Sequence, residues 1–429
     1  MLIEFSLENC KSFASMQSLS LVASTLKDHR DGRILKVPKP HDIDVLNSAI
    51  ILGKNGSGKS TLVDAMEFVT KFVRSSSSSA QAGDEITFRP NRLDTSLSGK
   101  DTSIRIIFSV QEKLYQFYFS FNNQRVTEEE LSLADKNSRF RKIYRRLFSK
   151  KTERYTYTFS LDFKGEKALW RTSTRDNALF LSTAVQLNAN NLRPAFDWLT
   201  QYFRPIDASS GSFTNFTANL CRDKNQKRRI MSFLKKLDVL VDDIIVEEDN
   251  SLEDFLNGPL KNAFREDFIE KTLKRSGRQL WSVKFVHTNS DGNHVDFDID
   301  DESSGTKALF GLAGPIFDSL TNGYCLVIDE INTSLHPLIL RALIDAFSNP
   351  KINVKRAQII FTSHDTSLLS NYFRRDQVWF MEKNKLGQSK LVPLSDYSPR
   401  KGEALEKGYL GGRYGGIPAI SPVFEAIED

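Results

Sequence analysis

An α/β fold, a mixed sheet with flanking helices interrupted by a long inserted lobe, is what the 429-residue sequence predicts. Three observations carry that prediction. A short apolar run, Asn47 to Leu52, leads directly into a glycine-rich turn and then into apolar residues at helical spacing. From about residue 303 onward, helix-period segments and apolar runs alternate. Between these two ends lie Phe/Tyr/Ile-rich runs of the kind that half-bury in antiparallel sheets.

Composition permits this and excludes much else. With 40% hydrophobic and 26% charged residues the chain can build a core, so disorder and fibrous architectures are excluded. Lysine and arginine exceed aspartate and glutamate by 59 − 54 = +5, too small a surplus to argue for nucleic acid unless it is clustered. Cys10, Cys221 and Cys325 are far apart and form no CxxC pair, so neither a disulfide framework nor a zinc site is expected. The start, MLIEFSLENCKSF, lacks the basic and apolar regions of a signal peptide, and no apolar window of about 18 residues occurs. A soluble, cytoplasmic protein without a membrane partner is expected.

Taken in order, Leu2 to Leu7 and Leu19 to Ala23 read as strands, and Lys27 to Asp44 as a loop. Asn47 to Leu52 is a buried-type strand; Leu62, Ala65, Met66, Val69, Phe72 and Val73 mark a helix that ends at Arg74 before five serines. Two strands lie between residues 103 and 121, then a basic stretch from Lys136 to Arg154 and a further strand from Tyr155 to Phe163. The aromatic residues there, Phe117, Phe119 and Phe121 among them, read as core. Helical patterning runs from Ala178 to about Leu256, broken at Asp207–Gly211 and Thr214–Thr217. Trp281 to Val286 and His294 to Ile299 form a predicted hairpin around Asn-Ser-Asp-Gly. A helix after Gly305, a strand from Tyr324 to Glu330, a helix from Pro337 to Phe347, a strand from Gln358 to Ser363, a helix near Leu368 and a strand from Val378 to Lys383 complete the series. The expected division is residues 1–110 and 301–429 as the two parts of one head, with 111–300 as the insertion.

The chemistry begins at Gly53 to Ser60, which matches GxxxxGK[ST] between a strand and a helix. Backbone N–H groups of Gly53, Asn55, Gly56, Ser57, Gly58 and Thr61 can converge on phosphate oxygens, and the helix adds its positive end. Lys59 is placed to reach the β- and γ-phosphates of ATP, and Ser60 to hold Mg²⁺. Four apolar residues followed by Asp329 and Glu330 supply the carboxylates such a loop needs: Asp329 for the metal, Glu330 as general base for water.

The order of the remaining pieces resembles ABC-type ATPases. Glu302 to Lys307, a Ser-Ser-Gly turn opening a helix, is similar to their signature, with Ser303, Ser304 and Gly305 at the matching positions; Thr333 to Pro337 resembles the D-loop, and His364 in FTSHD the γ-phosphate-sensing switch histidine. That resemblance implies a site completed by a second chain, hence at least a homodimer. A Q-loop glutamine is not located; Gln81 and Gln111 are the nearest candidates.

Phe5 to Phe13 resembles the opening strand of the RecF, Rad50 and SMC branch, which implies that Lys11 and Ser12 lie near the nucleotide; Cys10 replaces the expected aromatic. Further stretches, Leu19–Ser24, Ala178–Asn188, Arg374–Lys383 and Lys407–Ile420, are similar to single-P-loop ATPases of bacterial anti-phage operons, such as PARIS-type (AriA) and abortive-infection (AbiL/RloA-type) ATPases. The resemblance implies an ATP-dependent sensor or scaffold that controls a separately encoded Toprim-like or RloB-like nuclease and answers to a phage protein. Only 429 − 383 = 46 residues follow Lys383, short for a Toprim domain, so the chain is expected not to cut nucleic acid itself.

A RecF-like DNA-binding clamp is the rival reading. The runs Arg139 to Arg154 and Lys224 to Lys236 fit a nucleic-acid groove, an acidic protein partner or a solvated face. Sustained heptads, which an SMC or Rad50 arm requires, are missing between Lys59 and Ser303, and the opening strand and tail speak against a transport subunit. The glycine-rich tail Gly411 to Gly416, centred on Arg413 and Tyr414, is expected to dock near the nucleotide or at the subunit interface.

Overall fold

The computed structural model describes residues 1–26, 32–207, 212–249, 281–332, 334–369, 372–400 and 402–417. Outside them lie Lys27 to Asp31 of the predicted loop, most of the Asp207–Gly211 turn, the end of the helical stretch read to Leu256, Thr333, and Pro418 to Ile420. The chain forms two compact units. The first comprises 1–207, 319–332 and 340–429; the second, 208–318 and 333–339.

Two sheets build the first unit. Strands β1 (Leu2–Glu8) and β2 (Gln17–Ser20) belong to one of them, while β3 (Ile34–Lys36) and β4 (Asp44–Leu46) make a separate two-stranded ribbon. β5 (Ser48–Leu52), buried at all five positions, precedes helix α1 (Lys59–Ser75). β6 (Thr102–Val110), β7 (Lys113–Phe121), β8 (Val126–Ala134), β9 (Phe140–Ser149) and β10 (Arg154–Phe159) then complete a seven-stranded antiparallel sheet, in the order β10-β9-β8-β7-β6-β1-β2. Residues 111–207 are therefore not part of an insertion, as the sequence suggests. β7 to β10 extend the sheet that β1 and β6 begin, and the separate unit starts only at 208.

The second sheet combines β5 with β11 (Phe203–Asp207), and in the second unit β12 (Asp243–Glu248), β13 (Trp281–Thr288) and β14 (His294–Asp298) form a three-stranded antiparallel sheet of their own. With β15 (Cys325–Asp329), β16 (Gln358–Ser363), β17 (Val378–Lys383) and β18 (Ser389–Pro393), the first unit's second sheet runs β11-β15-β16-β5-β17-β18. All its pairs are parallel except β17 with β18. Helical period hid β11 and β12 in the sequence; Pro205 also disguises β11, an edge strand where a missing N–H is tolerated. This is the mixed sheet with flanking helices that the sequence predicts for an ABC-type ATPase head.

α1 buries Leu62, Ala65, Met66, Val69, Phe72 and Val73, the predicted face. Phe68 stacks on Phe88 at 4.5 Å and on Phe121 at 5.1 Å, so the aromatic load is core packing. In the second unit Phe285 meets Phe310, and Phe233 meets Phe317, both edge-on.

The basic stretch from Lys136 to Arg154 is largely strand β9, and several of its cations pair with acidic residues in or just after β8. Arg145 pairs with Glu128 at 2.7 Å, Lys142 with Glu130 at 3.0 Å, and Arg141 with Asp135 at 3.0 Å. Arg146 is wholly buried. It donates to the carbonyls of Ala178 and Arg175 and lies 4.0 Å from Glu129, which itself accepts from Tyr144 Oη and from the N–H groups of Phe180 and Leu181. Burial pushes the Glu129 carboxyl up, against the pull of Arg146. Glu129→Ala strands the arginine, and a loss of about 3–5 kcal/mol is expected in urea unfolding. A loss under about 1 kcal/mol would show that the pair does not hold β8, β9 and residues 175–181 together.

Candidate functional site

Parallel strands deliver their carboxyl ends to one edge of a sheet, and ligands gather there. Here β5 ends at Leu52 before Gly53, β15 at Asp329, β16 at Ser363 before His364, and β17 at Lys383. A cavity of about 660 Å³ lies at this edge. Its wall is Lys11, Ser12, residues 55–61 of the glycine loop and α1, Glu330, His364 and Lys383.

The loop keeps its shape by contacts that the residue types require. Gly58 has φ +114°, and a Cβ there would lie 2.4 Å from Ser389 Oγ and 3.0 Å from Ser12 Oγ. Ser389 Oγ bonds both the Ser57 carbonyl, at 2.5 Å, and Ser12 Oγ, at 2.7 Å. A serine has one hydroxyl proton, so Ser389 donates to one of these two oxygens at a time. Ser57 Oγ is buried with no hydrogen-bond partner among the described residues. Lys59, almost fully buried, folds its ammonium back onto the carbonyls of Gly53 and Lys54, at 2.8 and 3.3 Å. Burial lowers its pKa, and the charges of Glu330 and Asp329 pull the other way.

Asp329 is buried just behind the cavity wall. The Thr362 hydroxyl donates to Asp329 Oδ1 and accepts from the Glu330 N–H at 2.8 Å, which fixes both carboxylates relative to β16. Glu330 has φ +52°, a left-handed conformation unusual for glutamate and of the kind that concentrates at functional sites. Its Oε1 lies 3.7 Å from His364 Nε2. Burial and the Lys59 cation lower the His364 pKa, while Glu330 raises it. Removing the cation in Lys59→Ala should therefore raise the His364 pKa, and neutralising Glu330 in Glu330→Gln should lower it further. Imidazole NMR titration reads both; a Lys59→Ala shift in the opposite direction would remove the coupling.

Lys11, at φ +45°, bonds Asp64 of α1 at 2.6 Å and, like Ser12, reaches the cavity. Ser303, Ser304 and Gly305 belong to the second unit, where Ser303 Oγ accepts from the Thr306 N–H and caps the helix Ser304–Asn322. Neither Gln81 nor Gln111 lines the cavity. Sequence reasoning missed Thr362, Lys383 and Ser389. Only their positions at strand ends beside the glycine loop mark them out, and those depend on strand order.

For a Mg²⁺ ion the donors are hard oxygens: the Ser60 hydroxyl in the wall, and Asp329, whose Oδ1 alone is taken by Thr362. Among the described residues no group of three or more His, Cys, Asp or Glu could hold a metal. One hydroxyl and one carboxylate oxygen suit an ion that keeps waters and shares phosphate oxygens.

The tail packs beneath the same loop. The Lys54 N–H donates to the Gly416 carbonyl at 2.8 Å, and Tyr409 Oη donates to it at 3.1 Å. Gly415 sits so close to Glu382 that a Cβ would fall 2.0 Å from Oε1. Tyr414, fully buried, stacks on Phe380 and donates to Glu403, which also pairs with Arg413 at 2.6 Å. Deleting the chain after Leu410 frees the Lys54 N–H and exposes Phe380. Nucleotide affinity or turnover should drop at least about tenfold, the effect of one well-placed bond; unchanged affinity and turnover would show that the tail is dispensable.

Comparison with known proteins agrees with this geometry. A family profile described as "AAA domain, putative AbiEii toxin, Type IV TA system" matches residues 48–370, well over half of the chain. The chain is 22% identical, over 361 residues, to the "Retron Vc95 probable ATPase" of Vibrio cholerae serotype O1 biovar El Tor, covering 76% of this chain and 67% of that protein. Among solved structures it is similar to the SMC head domain from Thermotoga maritima, with a TM-score of 0.40 and 13% identity over 91% of this chain and 98% of that one. An SMC head bound to the C-terminal winged-helix domain of ScpA gives a TM-score of 0.43 and 14% identity over 91% and 96%. Among the described residues no helix is long and apolar enough to cross a membrane. With its glycine loop, carboxylate strand and histidine strand inside the matched segment, the chain belongs to this AAA-domain family.

Proposed function

We propose that the chain binds ATP in this cavity and hydrolyses it. The observation that carries the reading is the convergence of Lys59, Ser60, Glu330 and His364 on one cavity, with Asp329 directly behind. Lys59 and the loop N–H groups bind the β- and γ-phosphates, Ser60 and Asp329 hold Mg²⁺, Glu330 orients and deprotonates the attacking water, and His364 donates to the γ-phosphate. Mg²⁺, when bound, neutralises charge on the two outer phosphates. Ser303, Ser304 and Gly305 of a second copy would close the site, so the working form is at least a homodimer.

In the cell we place the protein in the cytoplasm as the ATP-dependent sensor or scaffold of an anti-phage defence system. The family description and the retron relative support that setting. The finer reading is a PARIS-type (AriA) or AbiL/RloA-like ATPase that responds to a phage protein and restrains or releases a separately encoded Toprim-like or RloB-like nuclease. A DNA-clamp reading is weakened where Lys142 and Arg145 of β9 pair with glutamates; the helix Lys224–Lys236 keeps that reading testable.

The test is Mg²⁺-dependent phosphate release by the purified chain, with sedimentation velocity with and without ATP. Hydrolysis together with ATP-dependent dimerisation is expected, and co-expression with the neighbouring reading frame should recover a complex. A chain that neither binds nor hydrolyses ATP would overturn the proposal.

A further inference from the structure

Three lysines meet the cavity, and their present partners differ in a way that separates their roles. Lys11 is paired with the Asp64 carboxylate at 2.6 Å. Lys59 rests on two backbone carbonyls. Lys383, at the carboxyl end of β17, also rests on a backbone carbonyl, that of Gly56 at the loop apex, at 3.0 Å. No carboxylate pairs with Lys383 among the described residues; its neighbour Glu382 is taken by Tyr397 Oη at 2.6 Å and packed against Gly415.

We propose that Lys383 is a second nucleotide-contacting lysine, one that exchanges the Gly56 carbonyl for a phosphate oxygen when a nucleoside triphosphate enters. An ammonium on a neutral carbonyl meets no opposite charge, whereas a phosphate oxygen adds an ion pair to the hydrogen bond. The placement is built rather than incidental. β17 pairs in parallel with β5, with Phe380 beside Leu52, so the residues after each strand run side by side along the loop. The hairpin to β18 then returns Ser389 to the Ser57 carbonyl and to Ser12, so it holds the loop at the adjacent residues Gly56 and Ser57. Lys383 itself is exposed and makes one bond, which leaves its ammonium free to turn toward a ligand.

This inference rests on the cavity being a nucleotide site, and the experiment separates the two. ATP binding is measured by calorimetry over a salt series for the wild type, Lys383→Met, Lys383→Gln and Lys383→Arg, with thermal unfolding of each nucleotide-free protein. The Met and Gln variants should bind ATP about tenfold more weakly and with a shallower dependence of affinity on salt, because one cation fewer meets the polyphosphate. Arg should restore both, and the unfolding midpoints should stay together. Wild-type affinity and salt slope in the Met and Gln variants would overturn the inference while leaving the ATP site intact. So would a weakening that Arg does not restore or that follows a fallen midpoint, since either marks Lys383 as a loop brace only. A wild type that binds no ATP would instead overturn the nucleotide reading itself.

Discussion

Glu330→Gln is expected to cut ATP turnover by about 10²–10⁴-fold, the usual worth of a positioned general base, while ATP remains bound. The substitution keeps shape and the left-handed backbone and removes only the charge that would draw a proton from water. The Thr362 hydroxyl still receives the residue's N–H and still donates to Asp329, so metal binding should survive. What remains is a closed, nucleotide-filled state that cannot discharge. Size-exclusion chromatography with ATP and Mg²⁺ should show a persistent dimer, with intact ATP recovered on denaturation. Hydrolysis at the wild-type rate would remove Glu330 as the base and move attention to His364, which also lines the cavity.

Lys59→Ala should abolish measurable ATP binding through a different balance. The ammonium is almost fully buried on the carbonyls of Gly53 and Lys54, and burial lowers its pKa against the pull of Glu330 and Asp329. In the empty protein it is a tolerated burden, relieved when phosphate arrives. A charge-assisted bond is worth about 1.5–3 kcal/mol, and two of them make at least about a hundredfold in affinity. The nucleotide-free variant should melt at or slightly above the wild-type temperature, and the upward shift that ATP gives the wild type should vanish. An unchanged ATP-induced shift would refute the role of Lys59, whereas a large drop in the nucleotide-free midpoint would mean that the lysine mainly props the loop.

Much of this site was legible from sequence because its parts are local. A glycine loop between a strand and a helix, or two acids closing an apolar strand, needs only neighbouring residues to be recognised. Thr362, Lys383 and Ser389 were not, because each acts on residues distant in sequence, and their function follows from β16 and β17 flanking β5. The same limit explains the misplaced boundary at 110: nothing local says that β7 to β10 continue the sheet of β1. Arg146 was read with its basic neighbours, yet the strand alternation that leaves Arg145 half exposed turns Arg146 inward onto Glu129. Charge counts along the chain cannot register that inversion; pairing with β8 can.

The hairpin grip on the glycine loop also bears on how the protein comes into being. Lys383 meets Gly56 across 327 residues of sequence, and Ser389 meets Ser57 across 332. β5, the strand that carries the loop, has as its two neighbours β16 and β17, both made long after it. Contacts of such separation form late, because loop closure must be paid before they stabilise anything. A nascent or prematurely ended chain would therefore emerge with its phosphate loop unsupported and unable to take up nucleotide. The capacity to bind ATP would then depend on synthesis having passed β18, which carries Ser389.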